Sequence, residues 1–281
     1  MYVSMNKYII YKGSGGLFHN LGGLSYAINI AKKQKRILII DAYSHLNKCI
    51  NFNDYFTINE DNLEYYCNYD ILPKNLTYKG LKYNEIIHLT ADNIIGGDYW
   101  YKNINLSVID NESDSIVMMC KYHKRFNTNI KINNTILQKL ENETIINKPY
   151  LSIHFRNTDM KHDINKFIKK IKKLSKYNNV YSLFLASDDY SAYKSIKDKL
   201  PHINIIRKSI PPINLNDDWS YAAEDKETQL YECLRDIYFI LNSNYFIPSV
   251  KSSVSKSIIT MIEQNNTIIS NFKPHIEIHY A

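Results

Sequence analysis

Apolar residues recur along this chain in two rhythms, short runs of four to six and longer stretches at three- and four-residue spacing. Tyr8-Ile9-Ile10-Tyr11 is a run, a loop holding Gly13, Gly15 and Gly16 follows, then helical spacing over 21–33, then Ile37-Leu38-Ile39-Ile40 ending on Asp41. Strand, glycine turn, helix and strand make a βαβ unit of about 35 residues, which places both strands in one parallel sheet. Residues 42–147 are Asn- and Tyr-rich and yield only a strand over 115–119 and a helix over 136–141. Asn147-Lys148-Pro149 predicts a boundary, because proline drives its predecessor out of the helical region. Beyond it the pattern alternates cleanly: strand 150–155, helix 164–177, strand 180–186, helix 192–200, strand 203–206. A Pro/Asp-rich loop over 209–218, a helix over 227–242, a strand over 245–247 and a helix over 253–264 complete it. The expected fold class is therefore α/β: two Rossmann-like domains, 1–147 and 148–281, with parallel sheets and a cleft between them.

Length agrees, since 281 residues at about 150 per domain suggest two domains. A chain 44% hydrophobic and 22% charged, with 8 Gly and 7 Pro, is neither disordered nor fibrous. No run approaches the 18 apolar residues of a membrane span, and MYVSMNKYIIYKG lacks a basic segment followed by an apolar stretch. A soluble, cytoplasmic protein with no membrane span is expected. Cys49, Cys67, Cys120 and Cys233 form no C-x-x-C, which indicates neither a zinc knuckle nor a disulfide scaffold and suits a reducing compartment. The net charge of +7 is evenly spread, 17 basic against 14 acidic residues over 1–148 and 18 against 14 over 149–281. Only KFIKKIKKLSK, 166–176, concentrates it. Its apolar members Phe167, Ile168, Ile171 and Leu174 give the lysines the solvated back of an amphipathic helix, and no nucleic-acid partner is expected.

Thirty of the 35 basic residues are lysine, so the five arginines stand out as positions where a planar fork is wanted. Arg156 and Arg235 fall in the most informative segments. In Leu151-Ser152-Ile153-His154-Phe155-Arg156, strand alternation puts His154 and Arg156 on one face at the C-terminal end, where open α/β sheets bind ligands. Leu183-Phe184-Leu185-Ala186 runs likewise into Ser187-Asp188-Asp189. Phe246-Ile247-Pro248-Ser249-Val250-Lys251-Ser252-Ser253 is a strand entering a helix whose first-turn amides suit a phosphate, with two hydroxyls beside them. Each piece also has a structural reading: Asp189 or Ser191, and Ser252 or Ser253, as helix caps; His154 as an interior histidine; Asp236 paired with Arg235.

SIHFRNTDMKHD, LFLASDD and LRDIYFILNSNYFIPSVKSSVSK resemble, in order and spacing, the three donor-site motifs of the fucosyltransferase superfamily that includes α1,6-, α1,2- and protein O-fucosyltransferases. GGLFHNLGGLSYAINIAKKQKRILIID is similar to that superfamily's opening segment. The resemblance covers about 120 residues at both ends of the chain. It implies a GT-B-like pair of Rossmann-type domains, the first on the acceptor side and the second binding the donor. The implied reaction is metal-independent, inverting transfer of fucose from GDP-fucose, the donor substrate, to an acceptor hydroxyl of a glycan, with no further cofactor.

By position, the resemblance puts His154 and Asp236 on guanine, Arg156 on the β-phosphate, Ser252 and Ser253 on the phosphates, and Asn20 near the reacting centre. Gly16 and Asp188 join the donor-binding set. Arg156, Asn20 and Asp163 are the catalytic candidates, with Asp159, Asp188 and Glu224 as further possible bases. The chain departs from the pattern in three places: Asn157 stands where α1,6-enzymes have a second arginine, Leu21 replaces a glutamine, and His19 an often-glycine position.

Competing readings are fewer. Gly13-Ser14-Gly15-Gly16 with Asp41 partly mimics an NAD or S-adenosylmethionine site, but Phe18 replaces the third glycine of G-x-G-x-x-G. No D-x-D, Gly-Lys or H-E-x-x-H occurs. A catalytically dead nucleotide- or glycan-binding homologue remains as an alternative. Tyr99, Trp100 and Tyr101 are candidates for stacking on an acceptor sugar, and equally for a core.

Overall fold

The computed structural model describes residues 6–13, 16–41, 51–67, 71–78, 80–87, 114–120, 129–143, 146–157, 161–209, 226–270 and 274–281. Tyr99, Trp100, Tyr101, Asp159, Glu224 and most of the 209–218 loop lie outside these residues, as does the side chain of His19. The chain divides into two compact units, Met1–Asn133 and Asn134–Ala281. That division falls ahead of the helix at Asn134–Glu141, so the helix expected to close the first domain sits with the second.

The first unit begins with the expected βαβ. Strand β1 (Tyr8–Gly13), helix α1 (Leu17–Gln34) and strand β2 (Ile37–Asp41) are followed by α2 (Phe52–Tyr55), β3 (Phe56–Ile58), β4 (Tyr65–Tyr66), β5 (Thr77–Tyr78), β6 (Leu81–Lys82), α3 (Tyr83–Ile87), β7 (Ser115–Cys120) and β8 (Ile130–Ile132). The main sheet runs β4-β2-β1-β7, all parallel, with Tyr8 opposite Ile37 on one side and Ser115 on the other. Ile9, Ile10, Leu38 and Ile39 are wholly enclosed, as a parallel sheet covered on both faces requires. Helix α1 starts at Leu17, four residues before the apolar spacing suggested, with Gly16 at its N-cap in an extended conformation.

The second unit holds α4 (Asn134–Glu141), β9 (Leu151–Phe155), α5 (Ile164–Asn178), β10 (Ser182–Ser187), α6 (Tyr190–Lys199), β11 (Asn204–Ile206), α7 (Lys226–Leu241), β12 (Tyr245–Pro248), α8 (Ser253–Glu263) and β13 (Glu277–Ile278). Its five strands are parallel in the order β11-β10-β9-β12-β13. Successive strands therefore step one way from β9 and then return to its other side. The switch point lies between the C-terminal ends of β9 and β12, where such sheets open a crevice for a ligand.

Alternation along β9 sorts its side chains. Leu151, Ile153 and Phe155 join Phe167, Ile171 and Leu174 of α5 and Ile196 of α6 in one core cluster. On the opposite face Ser152 meets Ser243, while Phe184 of β10 meets Phe239 of α7 at 5.1 Å between ring centroids. Asn179 ends α5 in the left-handed conformation at φ 54°, which asparagine tolerates better than most residues. Among the described residues no helix is long and apolar enough to cross a membrane.

Candidate functional site

At the switch point three neighbouring strands end together. Pairing sets His154 opposite Ala186 of β10 and Pro248 of β12, so the polar residues after all three strands gather on one rim. Strand β9 stops at Phe155, and the expected alternation stops with it. His154 turns to α8, its Nδ1 lying 2.7 Å from the Ser255 hydroxyl. Arg156 turns to the end of β10, its Nε 3.0 Å from Asp188 Oδ2. The two residues expected on one face thus engage opposite neighbours of β9.

The backbone around Arg156 is fixed from both sides. Its amide donates to the Ser249 hydroxyl at 3.1 Å, and Ser249 N donates to the His154 carbonyl at 3.0 Å, stitching the exits of β9 and β12 together. The Asn157 amide donates to Asp188 Oδ1 at 2.8 Å, so one carboxylate holds both the side chain of Arg156 and the chain that follows. Asn157 Nδ2 donates to Asp189 Oδ2 at 2.7 Å, while its Oδ1 accepts from His162 N. The residue that departs from the resembled pattern is here a loop clamp. Burial disfavours charge on Asp189, but bonds from Ser191 and Asn157 outweigh it and hold the carboxyl below its usual range.

The helices at this rim begin in two different ways. Asp163 caps α5 by accepting from Asn165 N at 2.9 Å, and Asp189 caps α6 by accepting from Ser191 N at 2.8 Å. In contrast, Ser252 at the N-cap of α8 makes no side-chain capping bond, and no acidic residue lies in the first turn. Ser252 is buried and Ser253 partly so. The positive end of α8 is therefore the one not answered by a carboxylate, the electrostatic condition for receiving an external anion. Asp163, singled out as a catalytic candidate, is placed as a cap.

His154 is held neutral, its pKa pushed down to about 3 by burial and then by the neighbouring Arg156 charge, with a further contribution from His162. Asp236 of α7 shows the opposite effect. Burial raises its carboxyl to about 8, with Glu232 adding to the rise while Arg235 and a bond from Ser209 oppose it. Ser209 Oγ lies 3.5 Å from Asp236 Oδ1 and accepts from Arg235 Nη2 at 3.1 Å, so serine bridges the two where a direct pair was the alternative. Arg235 also approaches Glu143 at 3.7 Å and Glu232 at 3.4 Å, and Tyr231 donates to Glu143 at 2.9 Å.

Gly16 and Asn20 belong to the first unit. Gly16 caps α1 in extended backbone with no side-chain bond, and nothing lies within 4 Å of where a Cβ would stand. Asn20 is fully enclosed in α1, its Nδ2 donating to the Gly16 carbonyl at 3.1 Å and its own carbonyl accepting from Tyr11 at 2.7 Å. Beside them Lys12, at the end of β1, lies 3.5 Å from Asp41 at the end of β2, both buried.

The structure thus brings His154, Arg156, Asp188 and the Ser252–Ser253 helix start to one rim. Ser249 and Ser255, which lock that rim, lie in the segment 234–256 but carry no local signal of it, because a serine's role is set by the tertiary partner its hydroxyl meets. Among the described residues no group of three or more His, Cys, Asp or Glu side chains is arranged to hold a metal ion.

No family model matches the sequence, and no curated protein matches it. Solved structures do resemble it. POFUT1 in complex with GDP-fucose superposes with a TM-score of 0.62 over 99% of this chain and 98% of that one at 12% identity. The fucosyltransferase NodZ from Bradyrhizobium gives 0.53 over 90% and 93% at 14% identity. NodZ alpha-1,6-fucosyltransferase soaked with GDP-fucose gives 0.54 over 90% and 91% at 14% identity. At such identities the likeness is one of fold, and by fold the chain is fucosyltransferase-like.

Proposed function

We propose that this protein transfers L-fucose from GDP-fucose to a hydroxyl of a glycan acceptor, with inversion and without a metal ion. The observation that carries the reading is the pairing of two positive devices at one rim: Arg156, oriented by Asp188 at 3.0 Å, and the α8 start that no side chain caps. A departing diphosphate needs that combination. As the acceptor oxygen bonds to fucose C1, the bond from C1 to the β-phosphate oxygen breaks and its electron pair leaves with GDP. Arg156 with the α8 amides meets the charge that builds there, and interactions of this type contribute about 3 to 4 kcal/mol each to transition-state stabilisation. A guanidinium and helix amides supply positive charge at the diphosphate, which is the support for metal independence.

Neutral His154 and Asp236 form the guanine end of this reading. A carboxylate at Asp236 accepts from the two N–H groups on guanine's Watson–Crick edge, and those donors favour its ionised form. The acceptor hydroxyl's proton passes to a base or to solvent; Asp188 is committed to Arg156 and Asp163 to a cap, and an oxocarbenium-like departure needs little base assistance. The first unit is assigned the acceptor side in this reading, while Gly16 keeps the donor-binding role and Asn20 the place near the reacting centre that the resemblance implies.

Labelled GDP-fucose incubated with the protein and a panel of glycans tests this. Stoichiometric GDP release with label appearing in a glycan is the expected result. Tight GDP binding with neither hydrolysis nor transfer would replace the reading with a non-catalytic nucleotide- or glycan-binding protein.

A further inference from the structure

Helix α5 carries six lysines and no acidic residue in fifteen positions. Phe167, Ile168, Ile171 and Leu174 face the sheet. Lys166, Lys169, Lys173 and Lys176 recur at i, i+3, i+7 and i+10 on the opposite side, where all four are exposed. At 1.5 Å per residue they form a stripe about 15 Å long. Lys170 and Lys172 flank it. None of these six makes an ion pair among the described residues, although acidic groups neutralise lysines elsewhere, as Glu60 does Lys32 and Glu143 does Lys208. A helix that only needed a solvated back would be served by mixed charges, which attract rather than repel one another at this spacing.

At the C-terminal end of the stripe Tyr177 is 84% exposed, and Tyr181 just beyond it is 51% exposed. These are among the largest apolar exposures in the described chain. Tyr177 stands in the last turn of the lysine-bearing helix, and Tyr181 lies edge-on to His202 at 6.3 Å between ring centroids while half its surface stays open.

We propose that the outer face of α5 is a docking surface for an anionic lipid bilayer. Three features select lipid over other polyanions. Every cation on the face is lysine, a flexible point charge suited to mobile headgroups, whereas the bidentate fork preferred for fixed phosphates in nucleic acid is absent from it. The helix is packed on the sheet beside α6, with Lys199 of α6 donating to Asn165, so its lysine-bearing outer side is the side left open to a partner. The exposed tyrosines are the residue type that settles at the headgroup level of a membrane. The surface runs along α5 away from the Arg156 rim, where only the N-terminal end of the helix lies, and does not depend on the fucosyl reading.

Co-sedimentation of the full chain with vesicles tests the proposal. Binding to phosphatidylcholine vesicles containing 30% phosphatidylserine is expected, with little binding to pure phosphatidylcholine. It should be lost as salt rises toward 1 M, where the screening length falls from about 10 to about 3 Å. Each lysine at an anionic leaflet is worth about a five-fold gain in partitioning, so Lys169→Glu with Lys173→Glu should weaken binding more than ten-fold. Lys33→Glu with Lys35→Glu in the first unit should change it by less than about two-fold, and Tyr177→Ala should weaken it at constant charge. Lys→Gln at the same α5 positions, with far-UV circular dichroism, guards against misfolding. Equal binding to neutral vesicles, or equal effects of the two charge-reversed pairs, would overturn the proposal. So would tighter retention of an oligonucleotide than of anionic vesicles with the same lysine dependence.

Discussion

The Asp188 carboxylate holds Arg156 twice over: one oxygen lies 3.0 Å from the guanidinium Nε, and the other accepts the amide of the next residue at 2.8 Å. A long, flexible cation at a strand tip is thereby given one orientation before any ligand arrives. Such preorganisation is what lets an electrostatic group act on a transition state without first reorganising.

Arg156→Lys keeps the charge and loses the fork. Turnover of GDP-fucose is expected to fall about 100-fold or more, with the unfolding midpoint within a few degrees of wild type. Steady-state kinetics with a thermal melt checks it; wild-type turnover would remove Arg156 from the site.

Asp188→Asn retains an acceptor for the Asn157 amide but not the charge facing Arg156. We expect kcat to fall about 10- to 100-fold while GDP affinity changes less, because the guanidinium is present but no longer aimed. Asp188→Ala should in addition cost about 1 kcal/mol of stability by leaving the amide without its acceptor, measurable by urea denaturation.

Ser255→Ala removes the partner of His154 Nδ1; Ser255 is fully buried and His154 partly so. A stability loss of about 1 kcal/mol and weaker GDP binding are expected. His154→Ala and Ser255→Ala should be non-additive in a double-mutant cycle; strict additivity would mean the pair is not coupled.

Asp236 supplies a pH prediction. Its folded carboxyl titrates at about 8, above the ordinary value of 3.8, so between these the folded state binds the extra proton. Stability contributed by this group is therefore present at low pH and is lost as pH rises toward 8. Asp236→Asn should flatten the stability profile over that window. GDP, which needs the ionised form, should bind more tightly at pH 8 than at pH 6, and Asp236→Asn should weaken GDP more than inorganic pyrophosphate. Equal weakening of the two would take Asp236 off the base.

Much of this was legible in the sequence because apolar runs ending in polar clusters mark strands that exit into a site. The segments through Arg156, Asp188 and Ser252 announced β9, β10 and the start of α8, and parallel pairing made them neighbours. What remained hidden depends on tertiary partners. Nothing local distinguishes Asp163 as a cap from Asp163 as a base, or shows that Ser209 bridges Arg235 and Asp236. The end of β9 at Phe155, which sends His154 and Arg156 to different neighbours, follows from Ser249 capturing the Arg156 amide. The short strands β4, β5, β6 and β13 have two residues each, too few to establish a period.

Calorimetric titration of GDP into wild type and Arg156→Ala tests the central claim most directly, that a guanosine diphosphate is gripped between Arg156 and the mouth of α8. The account predicts one GDP per chain, at least about 30-fold weaker in Arg156→Ala, with no heat from NAD or S-adenosylmethionine. Binding of either of those without GDP, or GDP binding indifferent to loss of Arg156, would contradict it.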